Sequence, residues 1–183
     1  MMSTVSYLGG WLGATGLAVA FALASPTDSS VMGHLPAFMS QTLMRQPLAV
    51  PDGLPSDRTL ALITFKRGQR DQADSWIRGL NLQNDASIAW VRMPVIKDPG
   101  TLTGRSAVED KLLRHYPTDT ERANLVPVFT DRANFARSAG LNSTEQVYAV
   151  VINRQGEVLA RMGGQYDPDK ARTLRETLLA QSF

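Results

Sequence analysis

Apolar runs alternate with amphipathic stretches along most of this chain. Residues 59–65 (TLALITF) form a short, nearly continuous apolar run with β-branched side chains, which is typical of a strand covered on both faces. A stripe at the helical spacing i, i+3, i+4, i+7 follows it, formed by Ala73, Trp76, Ile77 and Leu80. The pattern therefore predicts a buried strand joined by a short loop to an amphipathic helix, with Trp76 in the core.

The alternation continues downstream. Residues 86–96 predict a second strand, and Val108, Leu112, Leu113 and Tyr116 mark a second amphipathic helix. Residues 125–131 predict a strand at the edge of the sheet, because proline cannot donate a ladder hydrogen bond and Pro127 lies within it. Residues 132–141 predict a short helix that ends at Gly140.

The C-terminal part predicts a hairpin and a closing helix. Two apolar stretches flank Arg154-Gln155-Gly156, a turn with its glycine where φ is positive. Asp167 and Pro168 fit the N-cap and first position of a last helix. With a small proline-rich hairpin over residues 35–56, the order is β-hairpin, β, α, β, α, β, α, β, β, α. This order predicts an α/β fold whose mixed sheet has helices on both faces.

The N-terminal segment has a different composition. Residues 7–24 contain no charge, and Ala22-Leu23-Ala24 before Ser25 is a small-x-small cleavage pattern. We expect this segment to be a signal peptide or an uncleaved membrane anchor. Its length suits an anchor, because roughly 17–25 residues span a bilayer. Both interpretations place the domain in the periplasm or facing it; an apolar helix packed on the domain, or an upstream mis-start, is the remaining alternative. We expect a signal or anchor over 1–24, a linker and hairpin over 25–56, and the main domain over 57–183.

Composition excludes several classes of function. The 183 residues include no cysteine, which excludes disulfides, thiolate metal sites and dithiol redox chemistry. The formal net charge of +2 does not indicate a nucleic-acid binder. His34 and His115 are too few and too distant in sequence to suggest a histidine metal cluster. With no nucleophile motif, phosphate loop or carboxylate pair, we predict no catalytic, cofactor or metal residues.

The order of elements, with the ending VVINRQGEVLARMGGQYDPDKARTLRETL, resembles the thioredoxin-like superfamily over roughly residues 35–179, in particular its peroxiredoxin-like periplasmic members. The stretches LALITFKRGQRDQADSWIRGL and VFTDRANFARSAGL also resemble the branch whose mitochondrial members assist assembly of the ATP synthase membrane sector. Redox members place a reactive cysteine in the loop after the first core strand. That position holds Lys66-Arg67-Gly68-Gln69-Arg70-Asp71 here, so no catalytic residue transfers.

This basic loop (residues 66–70) is the only candidate site. If the helix begins near it, free N–H groups and the side chains of Lys66, Arg67 and Arg70 favour a phosphate, a lipid head group or an acidic partner segment. The alternative is a solvated basic turn that Asp71 and Asp74 partly neutralise.

Three functions follow. The first is a non-redox binding or assembly module of the cell envelope, with an unidentified protein partner such as a membrane complex. The second is an enzyme using non-thiol chemistry on an anionic, phosphorylated substrate at the basic loop, which requires a carboxylate or histidine folded onto that loop. The third is an accessory domain that stabilises a partner through a sheet edge.

Overall fold

The computed structural model describes residues 32–180. Its strands are β1 (Phe38–Gln41), β2 (Pro47–Val50), β3 (Arg58–Thr64), β4 (Trp90–Ile96), β5 (Val128–Phe129), β6 (Tyr148–Asn153) and β7 (Val158–Gly163). Its helices are α1 (Arg70–Gly79), α2 (Leu102–His115), α3 (Asp119–Ala123), α4 (Arg132–Ser138) and α5 (Pro168–Leu179), and a 3-10 turn (Arg67–Gln69) precedes α1.

The main sheet is mixed, as the sequence predicts. Its spatial order is β5-β4-β3-β6-β7, with β3 at the centre. Strand β3 runs parallel to β4, β4 runs parallel to β5, and β6 is antiparallel to both β3 and β7. Because the first three strands of the sheet are parallel, the carboxyl ends of β3 and β4 meet at one edge, where the basic loop begins.

Two apolar cores cover the two faces of this sheet. Alternate residues of β3 point to opposite sides, so that Leu62 packs beneath α1 and α5 while Ile63 packs with α4 and the β1–β2 hairpin. Trp76 is fully buried in the first of these cores, and its indole Nε1 donates to the Gly164 carbonyl at 2.8 Å. The predictions of helices on both faces and of a core tryptophan are therefore confirmed.

Two predicted strand bounds are wrong, and one helix was not predicted. Strand β4 begins at Trp90 rather than at residue 86, because Asp85 accepts the Ser87 N–H at 3.0 Å and forms a turn there. Strand β5 is confined to two residues at the edge of the sheet. Helix α3 was not predicted, although Thr118 and Glu121 cap each other at its start.

The predicted signal or anchor over residues 1–24 lies outside the described residues. Within residues 32–180, no helix is long and apolar enough to cross a membrane. The boundaries proposed near residues 24 and 56 stay predictions.

The hairpin of β1 and β2 pairs Phe38 with Val50 and packs Val50 into the core of the main domain.

Candidate functional site

The basic loop is held in one conformation by a buried glutamine. Gln69 lies in the 3-10 turn, and its Oε1 accepts the backbone N–H of Phe65 at 2.7 Å and of Lys66 at 3.2 Å. Its Nε2 donates to the Thr144 carbonyl at 2.9 Å, which ties the loop to the segment before β6. The loop is therefore fixed to the rest of the fold before any ligand binds.

These hydrogen bonds reduce the number of backbone N–H groups that are free to attract an anion at the loop. The N–H groups of Phe65 and Lys66 are occupied by the Gln69 side chain, and the N–H of Gln69 donates to the Lys66 carbonyl at 3.1 Å. Backbone donors at the start of the helix are therefore partly used within the loop itself. The basic side chains are therefore the main candidates for anion attraction at this loop.

The predicted basic side chains have different surroundings. Lys66 is exposed and forms an ion pair with the exposed Glu145, which lies before β6. Arg70 is half-buried, with its Nε 3.6 Å from an Asp74 carboxylate oxygen and an Nη 3.9 Å from Glu121. Arg67 is exposed and has no ion pair within residues 32–180.

The prediction that Asp71 and Asp74 partly neutralise the loop is correct for Asp74 alone among the described contacts. Asp74 pairs with Arg70, whereas Asp71 forms no ion pair with any residue that the structure describes. Glu145 and Glu121 take its place, and both come from segments distant in sequence. The sequence pattern could not identify them, because their proximity arises only when α3 and the strand β6 pack near the loop.

Beneath the loop lies a buried arginine that the sequence analysis missed. Arg92 of β4 has a side chain only 6% exposed, and its Nη2 donates to an Asp74 oxygen at 2.5 Å. Its Nη1 donates to the Tyr116 hydroxyl at 3.2 Å. The guanidinium carbons of Arg70 and Arg92 lie 4.6 and 5.0 Å from the centroid of the Tyr116 ring. Arg70 and Arg92 thus share the Asp74 carboxylate as an ion-pair partner and the Tyr116 ring as a cation–π partner.

A cleft of about 290 Å³ opens at the carboxyl ends of β3 and β4, between the basic loop and α2. We call it the basic cleft. Its lining includes six basic side chains, which are Lys66, Arg67, Arg70, Lys111, His115 and Arg132. Its floor is apolar and includes Phe65, Ile96, Val108 and Leu112. No aspartate or glutamate lines it among the residues that the structure describes.

Half of the basic side chains in this cleft come from outside the predicted site. Lys111 and His115 belong to α2, and Arg132 begins α4, where its Nε donates to the Val95 carbonyl at 3.2 Å. The histidine Nδ1 lies 2.7 Å from the Lys111 carbonyl oxygen. Because a carbonyl only accepts, this nitrogen carries the proton, and Nε2 of the neutral ring is left as an acceptor.

The described residues contain no group of three His, Asp or Glu side chains placed to hold a metal ion.

A second cavity, of about 660 Å³, lies between β1, β5 and α2 and exposes Met39 and Leu102. Ser40 donates its hydroxyl to the Pro127 carbonyl at 2.7 Å there, so the hairpin partly covers the outer edge of β5. That contact covers part of the β5 edge, while β7 forms the other edge of the sheet.

No protein-family model and no curated protein sequence matches the chain. Solved structures do match. BsSco, a member of the Sco family of cytochrome c oxidase assembly proteins, is 14% identical with a TM-score of 0.54, over 81% of this chain and 95% of that one. The thioredoxin domain of a thiol-disulfide oxidoreductase from Bacteroides vulgatus is 14% identical with a TM-score of 0.50, over 82% of this chain and 99% of its own.

A third similar structure is the exposed lipoprotein thioredoxin of Streptococcus pneumoniae, which is 13% identical with a TM-score of 0.50, over 77% of this chain and 99% of that one. At these identities the likeness concerns the fold alone. The chain has a thioredoxin-like α/β fold, and its sequence contains no cysteine.

Proposed function

We propose that this chain is a non-redox binding or assembly module of the cell envelope, which holds an anionic ligand or an acidic segment of a partner at the basic cleft. The observation that carries the proposal is the convergence of three arginines, two lysines and one histidine on a cleft without a lining carboxylate in the described part of the chain. Like charges held close together repel each other, and a bound anion relieves that repulsion.

The net charge of the whole chain shows that positive charge is concentrated in the cleft. The formal net charge is only +2, which is less than the positive charge lining the cleft alone. The rest of the chain is therefore net negative. An approaching anion is attracted towards the cleft rather than towards the surface as a whole.

An envelope location is supported by the apolar residues 7–24 and by two of the similar structures. BsSco belongs to a family of assembly proteins, and the S. pneumoniae protein is an exposed lipoprotein. The resemblances to peroxiredoxin-like periplasmic proteins and to the ATP synthase assembly-factor branch belong to the same proposal. They make a membrane complex the first partner to look for.

The test reverses charge in the cleft without breaking an ion pair among the described residues. Arg67→Glu/Lys111→Glu is introduced into the full chain, and a photoreactive crosslinker, attached at the same position outside the cleft in every variant, captures partners in the envelope fraction. The matched control is Arg78→Glu/Arg114→Glu, which makes the same charge change at exposed positions of α1 and α2 outside the cleft lining. We expect the cleft variant to lose its crosslinked partner and the control to keep it.

Circular dichroism of both variants verifies that each retains its fold. A crosslinked partner retained by the folded cleft variant would show that the basic cleft is not the recognition surface. Loss in both variants would show that the interaction depends on overall charge, which also contradicts the proposal.

One observation favours the enzyme as a second candidate function. His115 lies in the cleft with Nε2 available as a proton acceptor, and Glu145 contacts the loop through Lys66. A histidine placed beside bound phosphate is able to activate water. Turnover of p-nitrophenyl phosphate that is lost in His115→Gln and kept in His34→Gln would establish this function. The absence of turnover above the blank would remove it.

A further inference from the structure

We infer that the anion held in the basic cleft is a phosphomonoester attached to an apolar body. This inference rests on the proposed function and names the ligand class that the proposal leaves general. Three properties of the cleft lead to it: the number of unpaired cations, the apolar floor and the volume.

The unpaired cations indicate a dianion. Arg67, Lys111 and Arg132 have no carboxylate partner within residues 32–180, whereas Lys66 and Arg70 are shared with neighbouring acids. The three unpaired residues come from the loop, from α2 and from α4, so they approach the cleft from different directions. A tetrahedral phosphomonoester presents several oxygens and about two negative charges near neutral pH, which suits donors on several sides. A carboxylate offers one charge and a planar pair of oxygens.

The floor indicates that the phosphate has an apolar substituent. Ile96, Val108 and Leu112 are only half-buried where they line the cleft, whereas Phe65 lines it as a buried residue. Inorganic phosphate would fill the basic side and leave this surface in water. A phenyl or alkyl group on the ester would cover it and gain the free energy of apolar burial.

The volume limits the size of the ligand. About 290 Å³ is at the low end of the roughly 300–1,000 Å³ typical of small-molecule sites. The cleft therefore fits a small ester, or the head group and first carbons of a phosphatidate lipid. These two sources share the same chemistry, and the experiment separates them.

Isothermal titration of the full chain compares three ligands at pH 8, where the phosphomonoester is dianionic because its second pKa is about 6. Phenyl sulfate keeps the ring but has one charge fewer, and inorganic phosphate keeps the charge but has no ring. We expect phenyl phosphate to bind more tightly than either by about fivefold or more. Arg67→Gln/Lys111→Gln weakens phenyl phosphate binding by about tenfold. Arg78→Gln/Arg114→Gln leaves its dissociation constant unchanged.

A second arm measures sedimentation of the protein with phosphatidylcholine vesicles that contain phosphatidate, a phosphomonoester, or phosphatidylglycerol, a diester. A lipid source is supported if the protein sediments with the phosphatidate vesicles and not with the phosphatidylglycerol vesicles, and if Arg67→Gln/Lys111→Gln abolishes this sedimentation. Binding of phenyl phosphate without vesicle retention supports a soluble source. Equal retention on both vesicles together with equal affinity for phenyl phosphate and phenyl sulfate overturns the inference.

This failure is distinguishable from a failure of the proposed function. If neither phenyl phosphate nor phosphatidate binds while the crosslinked partner still depends on Arg67 and Lys111, the ligand class is wrong and the recognition surface stands. If the crosslinked partner also ignores these residues, both proposals are overturned.

Discussion

At the scale of single residues, the basic cleft is supported by polar side chains buried beneath it. Arg92 pairs with Asp74, and Gln69 bonds to two backbone N–H groups and one carbonyl. Within the described residues, no buried side-chain nitrogen or oxygen lacks a hydrogen-bond partner. Removing one partner leaves the other buried and unsatisfied, which costs more than the hydrogen bond itself contributes.

The Arg92–Asp74 pair gives the first prediction. Asp74→Ala leaves the guanidinium of Arg92 buried without its carboxylate, and we expect the free energy of unfolding to fall by about 2–3 kcal/mol in urea. Asp71→Ala on the same helix is the control, with the same gain of helix propensity and no ion pair in the described structure; it should change stability by less than about 0.5 kcal/mol. Equal losses in the two variants would contradict the importance of this pair.

Gln69 gives a second prediction at the same scale. In Gln69→Ala the amides of Phe65 and Lys66 lose their acceptor, and we expect a loss of about 1–3 kcal/mol together with faster hydrogen exchange at both amides. The exposed Gln155→Ala serves as the control and should leave these amides protected. If exchange at Phe65 and Lys66 is unchanged in Gln69→Ala, the loop is held by other contacts.

The residues of the cleft differ in how far the sequence could predict them. Lys66, Arg67 and Arg70 are close in sequence, so their clustering was visible. Lys111 and Arg132 reach the same cleft only through tertiary packing, and nothing in their local sequence indicates this. Arg92 is a single charge inside an apolar strand, a pattern that signals a buried partner without naming it.

At the scale of elements, helix α2 forms one wall of the cleft although none of its residues is buried. Its first turns are fixed by Arg105, whose Nε and Nη2 donate to the two carboxylate oxygens of Asp98 at 3.0 and 2.5 Å. Helix α1, in contrast, buries Ala73, Trp76 and Ile77 under the sheet. One wall of the cleft is thus anchored by apolar packing against the sheet. The other is anchored by polar contacts at its start and by Leu112 and Leu113, which pack against a small apolar cluster that includes Leu125.

The Asp98–Arg105 contact gives a prediction with a defined pH dependence. The hydrogen bond from Arg105, followed by that from the Gly100 N–H, lowers the pKa of Asp98 below its ordinary value of 3.8. The stabilisation is therefore fully present above that ordinary value and is lost as the pH falls through the lower folded value. Arg105→Gln should raise the Asp98 pKa towards 3.8 in a carboxyl NMR titration. Arg114→Gln, on the same helix, should leave it in place.

The elements themselves were predictable where periodicity was strong. The stripe of α1, the hairpin of β6 and β7 and the Asp167-Pro168 start of α5 all match their sequence patterns. The start of β4 and the existence of α3 were not predicted, because side-chain caps at Asp85 and Thr118 decide them. Caps act over a few residues and are weaker signals than an apolar stripe.

At the scale of the whole molecule, the fold brings four separate segments to one cleft. The loop after β3, the end of β4, helix α2 and the start of α4 are distant in sequence, and the parallel arrangement of β3 and β4 places them together. The correspondence between this position and the thiol position of redox members, which the resemblance implies, stays a prediction. The resemblance itself does not indicate that the position is basic. The absence of cysteine and the surplus of cations are properties of this sequence.

Amide chemical-shift mapping of the full chain, during titration with inorganic phosphate and with a short polyglutamate peptide, shows directly where anions bind. We predict saturable shifts at Arg67, Lys111 and Arg132, and none beyond bulk salt effects at Arg172 and Arg175 on α5. Shifts of similar size on α5 and in the cleft, or no saturation at any amide, would contradict the claim that the basic cleft is the anion-binding surface.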